Sequence, residues 1–141
     1  MSVPDTALVD KLNAAIKPML PGLLGMEVIE AGPEKVVGRM TVREDMCTGG
    51  GILHGGAYMA FADTLGALAT VVNMPAGSTT ATIESKTNFI GAARVGTTVT
   101  GTATAFHKGR TTQVWQTQIT GEDGRLLAVV SQTQIVKPAP A

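Results

Sequence analysis

The stretch at 49–70, GGGILHGGAYMAFADTLGALAT, places a histidine at a glycine-rich turn and one carboxylate inside an apolar helical run. Gly49, Gly50 and Gly51 precede that run, and Gly55 and Gly56 open it, which strips side chains from the helix start. The first N–H groups of a helix have no partner inside it and sit at the positive end of its dipole. A bare first turn can therefore receive an anion or a developing oxyanion, and a polarised carbonyl would fit there. The alternative reading is that these glycines only let loop and helix pack closely.

Asp63 lies in the second half of the same run. Its helical neighbours Met59, Ala60, Gly66 and Ala67 offer no cation. Burying an unpaired carboxylate costs several kcal/mol, so an acid kept here implies a polar pocket or a reaction, or else a side chain that reaches solvent or caps a nearby loop. Gly55 and Asp63 are eight residues apart, about 12 Å of helical rise, too far for one carbonyl to touch both. If both act on one atom they belong to different chains, which predicts a two-fold dimer with two equivalent sites.

His54 has no Ser or Cys nucleophile beside it and no second metal ligand, so fixing the turn by hydrogen bonding ranks ahead of direct catalysis. His107 reads as an exposed loop residue. Lys108 and Arg110, with Arg94, are the candidates for a local basic cluster; the alternative is ordinary solvated surface charge.

The elements that must position these groups follow from periodicity. Leu8, Val9, Leu12, Ala15 and Ile16 predict a short amphipathic helix over about 5–17, ended by Pro18 and Pro21. LGMEVIEAG and EKVVGRMTVRE read as strands around the turn AGPE, the first with imperfect alternation. A long helix over about 54–73 is closed by NMPAG, and four strands follow, the last two joined at Asp123-Gly124. Within them Thr98, Thr100, Thr102 and Thr104 alternate with Val99, Gly101, Ala103 and Ala105, so one face is small and leaves room for something bulky. The long helix is apolar almost all round, which calls for a sheet on one side and another chain on the other.

At 141 residues the chain reads as one domain, 1–141. Eleven Lys and Arg balance eleven Asp and Glu, which provides no global field for nucleic acid or an anionic membrane. The single Cys47 supports neither a disulfide framework nor a zinc site. The N-terminal 25 residues show no leader pattern, and no window approaches 18 uncharged apolar residues, so a soluble, cytoplasmic protein is expected.

The motif LHGGAYMAFAD, the strand order, the hairpin GEDGRLL and the chain length resemble the hotdog-fold thioesterases of the PaaI-like and 4-hydroxybenzoyl-CoA thioesterase group, over about residues 22–136. The resemblance implies an α+β fold in which an antiparallel sheet wraps a central helix, and dimers that commonly pair into tetramers. It also implies acyl-CoA hydrolysis with no metal and no cofactor apart from the CoA of the substrate. By the same resemblance the Gly55 N–H polarises the thioester carbonyl, and Asp63 from the opposing chain attacks it or activates water. The Thr82 hydroxyl helps hold that water, and the shorter Asp favours the water route. Gly56, Arg94, Lys108, Gly109 and Arg110 fall where such enzymes meet the substrate and its CoA nucleotide. Two positions depart from the family: Thr48 stands where Asn or Gln is common, with a hydroxyl but no amide donor, and Ala67 lacks the hydroxyl of some Glu-containing members. The expected activity is thioester hydrolysis of an aryl- or medium-chain acyl-CoA. A non-catalytic acyl-CoA-binding protein is the alternative, and a hydratase fits less well because its Asp and His sit closer than 54 and 63.

Overall fold

In a computed structural model, residues 5–141 are described; positions 1–4, part of the expected domain 1–141 and of the N-terminal stretch read for a leader pattern, lie outside that range. The first helix, α1 (Thr6–Ile16), is capped by Asp5, whose side chain accepts from the Leu8 N–H at 3.0 Å. It buries Leu12 and Ile16. Pro21 does not simply end this region: it sits inside a second short helix, α2 (Leu20–Leu23), where a proline in the first turn forfeits no hydrogen bond.

Strands β1 (Glu27–Ala31) and β2 (Lys35–Thr41) flank the AGPE turn as expected. A bulge between Val28 and Glu30 explains the imperfect alternation of β1, since it turns Ile29 out while Val28 and Ala31 stay in the core. Next come a 3-10 turn (Glu44–Met46) and a miniature hairpin, β3 (Cys47–Thr48) and β4 (Ile52–Leu53). Gly50 and Gly51 have φ of 98° and 70° in its turn, so they serve that hairpin rather than the helix start. Of the five glycines in 49–56 only Gly55 and Gly56 belong to α3 (Gly55–Asn73). The remaining strands are β5 (Thr79–Phe89), β6 (Thr98–Lys108), β7 (Thr112–Thr120) and β8 (Leu126–Lys137).

Six strands form one antiparallel sheet in the order β1-β2-β6-β7-β8-β5. Helix α3 touches the five consecutive strands β2, β6, β7, β8 and β5. Five strands spaced about 4.8 Å apart span about 19 Å, wider than a helix of about 10–12 Å, so the sheet has to curl around α3 to reach it. This is the hotdog arrangement that the resemblance implies.

The small face of β6 has its expected occupant. Gly101 pairs directly with Gly38 of β2, and together they form a notch for Phe61 and Leu65 of α3. A Cβ at Gly101 would lie 2.5 Å from a Leu65 methyl, and one at Gly38 would lie 2.8 Å from the other. Leu65, Phe61, Ala62 and Ala69 are fully buried. By length and composition α3 could cross a membrane; its contact with the sheet accounts for that composition. The opposite stripe stays accessible in the single chain, with Met59 and Val71 exposed and Ala60, Asp63 and Ala67 half-buried.

Candidate active site

His54 is the N-cap of α3, in extended backbone, and its Nδ1 accepts from the Gly56 N–H at 2.8 Å. This explains two features of the turn. A side chain at Gly56 would place its Cβ 3.0 Å from that Nδ1. With the Gly56 N–H taken and the Ala57 N–H given to the His54 carbonyl, the Gly55 N–H has no acceptor among the described residues. It points from the positive end of a 19-residue helix.

Gly55 opens onto a cleft of about 380 Å³ shared with Thr48, Tyr58, Phe89, Ile90 and Ala92. Tyr58 and Phe89 form a tilted aromatic pair, 6.2 Å between centroids. The Tyr58 hydroxyl donates to the Gly91 carbonyl at 3.2 Å, and burial pushes its phenol above the ordinary value. A Cβ at Gly55 would come within 3.1 Å of the Phe89 ring, so the glycine keeps both the amide and the aromatic wall in reach of the same space. Asp63 does not line this cleft.

Asp63 instead turns toward β5 and β8. The Thr82 hydroxyl donates to Asp63 Oδ1 at 2.6 Å, and the Gln132 amide donates to the Asp63 backbone carbonyl at 3.3 Å and to Oδ1 at 3.4 Å. Among the described residues Oδ2 has no hydrogen-bond donor. A bulge just after Thr82 shifts the register, so that Thr80 and Thr82 face inward before it and Ser85 and Thr87 after it. The acid is therefore held by a hydroxyl and an amide rather than by a cation, with one carboxylate oxygen left over.

Gln132 and its neighbour Gln134 were not legible as site residues, yet both are buried, at 1% and 0% exposure. The signal was available: β8 alternates, and Val130, Gln132, Gln134 and Val136 share its inner face.

The basic residues do not form the single cluster expected of them. Arg94 bridges Ile52 beside the N-terminal end of α3. Lys108 is at the far end of β6, where its ammonium donates to Glu34 at 2.9 Å and to the Pro33 carbonyl, which also accepts from Asn73 at the end of α3. Gly109 and Arg110 occupy the adjoining β6–β7 turn. Ten residues of strand, about 33 Å, keep these two groups apart within one chain. Among the described residues no three His, Cys, Asp or Glu side chains are placed to share a metal ion.

The comparisons with known proteins agree with this fold. Residues 50–128 match the Thioesterase superfamily. The chain is 30% identical to the 1,4-dihydroxy-2-naphthoyl-CoA hydrolase of Listeria monocytogenes over 114 residues, 81% of this chain and 92% of that one. A mutant thioesterase of Pseudomonas aeruginosa superposes with a TM-score of 0.88 at 30% identity, covering 97% of this chain and 96% of the other. A Staphylococcus aureus thioesterase, solved as two variants, superposes at 0.81 with 29% identity, covering 84% of this chain and 98% of that one. An antiparallel sheet wrapped around one long helix is thus shared ground with enzymes that cleave thioesters: the chain belongs to the thioesterase superfamily, as a hotdog-fold thioester hydrolase of the acyl-CoA type.

Proposed function

We propose that the protein hydrolyses an aryl- or medium-chain acyl-CoA to the free acid and CoA, in sites completed by two protomers. The observation that carries this is the placement of two complementary half-sites on one helix: the free Gly55 N–H in the aromatic cleft, and Asp63, absent from that cleft, with Oδ2 unengaged. Gly55 and Thr48 of one protomer then face Asp63 and Thr82 of the partner subunit across the accessible stripe of α3. An antiparallel approach of the two helices also carries Lys108, Gly109 and Arg110 of the partner subunit toward the Arg94 end, which would restore a basic cluster for the CoA phosphates. Pairs of such dimers make the proposed tetramer.

In this reading the Gly55 N–H and the helix dipole stabilise the negative charge that develops on the thioester oxygen. Asp63 takes a proton from water as the water oxygen bonds to the carbonyl carbon. The C–S bond then breaks, and the CoA thiolate recovers that proton. Thr82, donating to Oδ1, holds the carboxylate in one orientation. Neither a metal nor a cofactor is assigned a part, and Gly56 serves the site through the His54 cap.

The Staphylococcus aureus variants support the residue assignment. One replaces a glutamine and the other a glutamate, fifteen residues apart in that chain, and Thr48 and Asp63 are also fifteen apart. The aromatic cleft and the naphthoyl-CoA hydrolase relative both favour an aryl acyl group. The free thiol of Cys47 suits the reducing cytoplasm, the compartment we assign. The test is thiol release from a panel of aryl- and medium-chain acyl-CoAs. Asp63→Ala and Asp63→Asn should both abolish it, and unchanged rates in both variants would refute the reading.

A further inference from the structure

Gln132 and Gln134 sit where apolar side chains would suit the core better. Each burial fixes a flexible side chain and desolvates an amide, and these are costs that Val130 and Val136 on the same face avoid or reduce. The hydrogen bonds around them are specific. Gln134 Nε2 donates to Thr80 Oγ1 at 3.1 Å, and Gln134 Oε1 accepts from Gln132 Nε2 at 3.1 Å. With its nitrogen committed to Thr80, the amide turns its oxygen toward Thr82, 2.5 Å from the hydroxyl. That hydroxyl has a single proton and two acceptors, Asp63 Oδ1 and Gln134 Oε1.

We propose that Gln134, oriented by Gln132 and Thr80, is a positioning residue that acts through Thr82. While Asp63 is ionised, the Thr82 hydroxyl donates to its carboxylate. Once Asp63 has taken a proton from water at Oδ2, its free oxygen, Oδ1 becomes the weaker acceptor, and the Thr82 hydroxyl can turn its own proton to Gln134 Oε1 without losing a partner. The network thus satisfies both states of the acid without moving a heavy atom, and no proton leaves it until the thiolate recovers the one on Asp63. This inference rests on the reading of Asp63 as the group that activates water.

The experiment is a double-mutant cycle on the intact oligomer, assayed with benzoyl-CoA or whichever panel ester is turned over fastest. Thr82→Val and Gln134→Met should each lower kcat about ten- to a hundredfold with KM within about twofold, and the double variant should be no slower than the slower single one, as for residues that work as a unit. Thr82→Ser should retain most of the rate. Should Gln134→Met fail to fold, Gln134→Asn retracts the amide by one methylene and enters the same cycle. Effects that multiply in the double variant, or a Gln134 variant that changes melting temperature and leaves kcat intact, would overturn the proposal. Asp63→Asn separates the two ideas: a dead Asp63→Asn with a multiplicative cycle removes only the role of Gln134, whereas an active Asp63→Asn removes both.

Discussion

Gly66 and Gln132 claim the same space: a Cβ on Gly66 would lie 2.3 Å from the amide carbon of Gln132. The missing side chain on α3 is what admits an amide of β8 to the turn that carries Asp63. Gly66→Ala should therefore displace Gln132. The far end of a glutamine can give way, so the expected cost in stability is about 1–3 kcal/mol, typical of overpacking. The expected loss in kcat is larger than that destabilisation alone would produce. Thermal melts and steady-state kinetics on the same preparation separate the two.

The Gly38–Gly101 notch has no part in the chemistry and should behave differently. Gly101→Ala drives a methyl into Leu65 and Phe61, both fully buried. Destabilisation of about 1–3 kcal/mol is expected with kcat unchanged in the fraction that remains folded. Urea unfolding, with an activity assay at a temperature where both proteins are folded, measures it.

His54 offers a test of structural against chemical roles. As an N-cap its replacement by Ala should cost about 0.5–2 kcal/mol of stability. It should also free the Gly56 N–H, which now donates to Nδ1. Because the cap acts only on the geometry of the turn, His54→Asn, which can cap in the same way, should recover most of the activity lost in His54→Ala. Recovery of stability without activity would instead make the imidazole a participant.

Tyr58 predicts the behaviour at alkaline pH. Burial raises its pKa in the fold, so the neutral phenol is favoured there relative to the unfolded chain. This contribution is fully present below the ordinary tyrosine value of about 10 and is lost as pH rises through the higher folded value. Tyr58→Phe should remove that alkaline loss and cost about 0.5–1.5 kcal/mol at neutral pH, through the hydrogen bond to the Gly91 carbonyl. Denaturant midpoints measured at pH 7 and above 10 decide it.

Elements long enough to show a period were legible in the chain, and those that were not stayed hidden. The 19 residues of α3 and the strands of seven to twelve residues, β2 and β5 to β8, repeat their pattern several times. By contrast β3 and β4 are two residues each and α2 is four, too short for any period to register. Asp63 stood out because a lone charge in an apolar helix is conspicuous. Gln132 and Gln134 did not, because a polar residue in a strand is read as surface until the flanking valines fix which face points inward. The separation of the basic residues within one chain has a geometric reason the sequence did not show: Arg94 and Lys108 lie at opposite ends of β6, and a strand of 11 residues holds its ends apart.

In the proposed site Thr48 bears on the rate rather than on the identity of the reaction. It lines the Gly55 cleft with a hydroxyl and no amide. If an amide at this place orients the water or the thioester, Thr48→Asn should raise turnover, read as a higher kcat on the preferred ester. A large loss would show that the hydroxyl itself is required.

The sharpest consequence of the two half-sites proposed on one helix is complementation between dead subunits. Gly55→Pro removes the amide hydrogen outright, and proline is well suited to the first position of a helix. The preceding residue already has φ −62° and ψ 139°, the extended backbone that a following proline demands. With the exposed Phe89 ring giving way by a few tenths of an ångström to the new Cβ, the variant should fold and lose about a hundred- to a thousandfold in kcat, as for an oxyanion donor removed. Asp63→Asn should be inactive for the opposite reason. Mixed and allowed to exchange, the two form heterodimers in which one site pairs the Gly55 amide of the Asp63→Asn chain with the carboxylate of the Gly55→Pro chain. About half of all dimers would then be mixed, each with one good site of two, giving about a quarter of the unsubstituted activity. If the amide and the acid served the same site from one chain, no mixture of these two proteins could recover any rate.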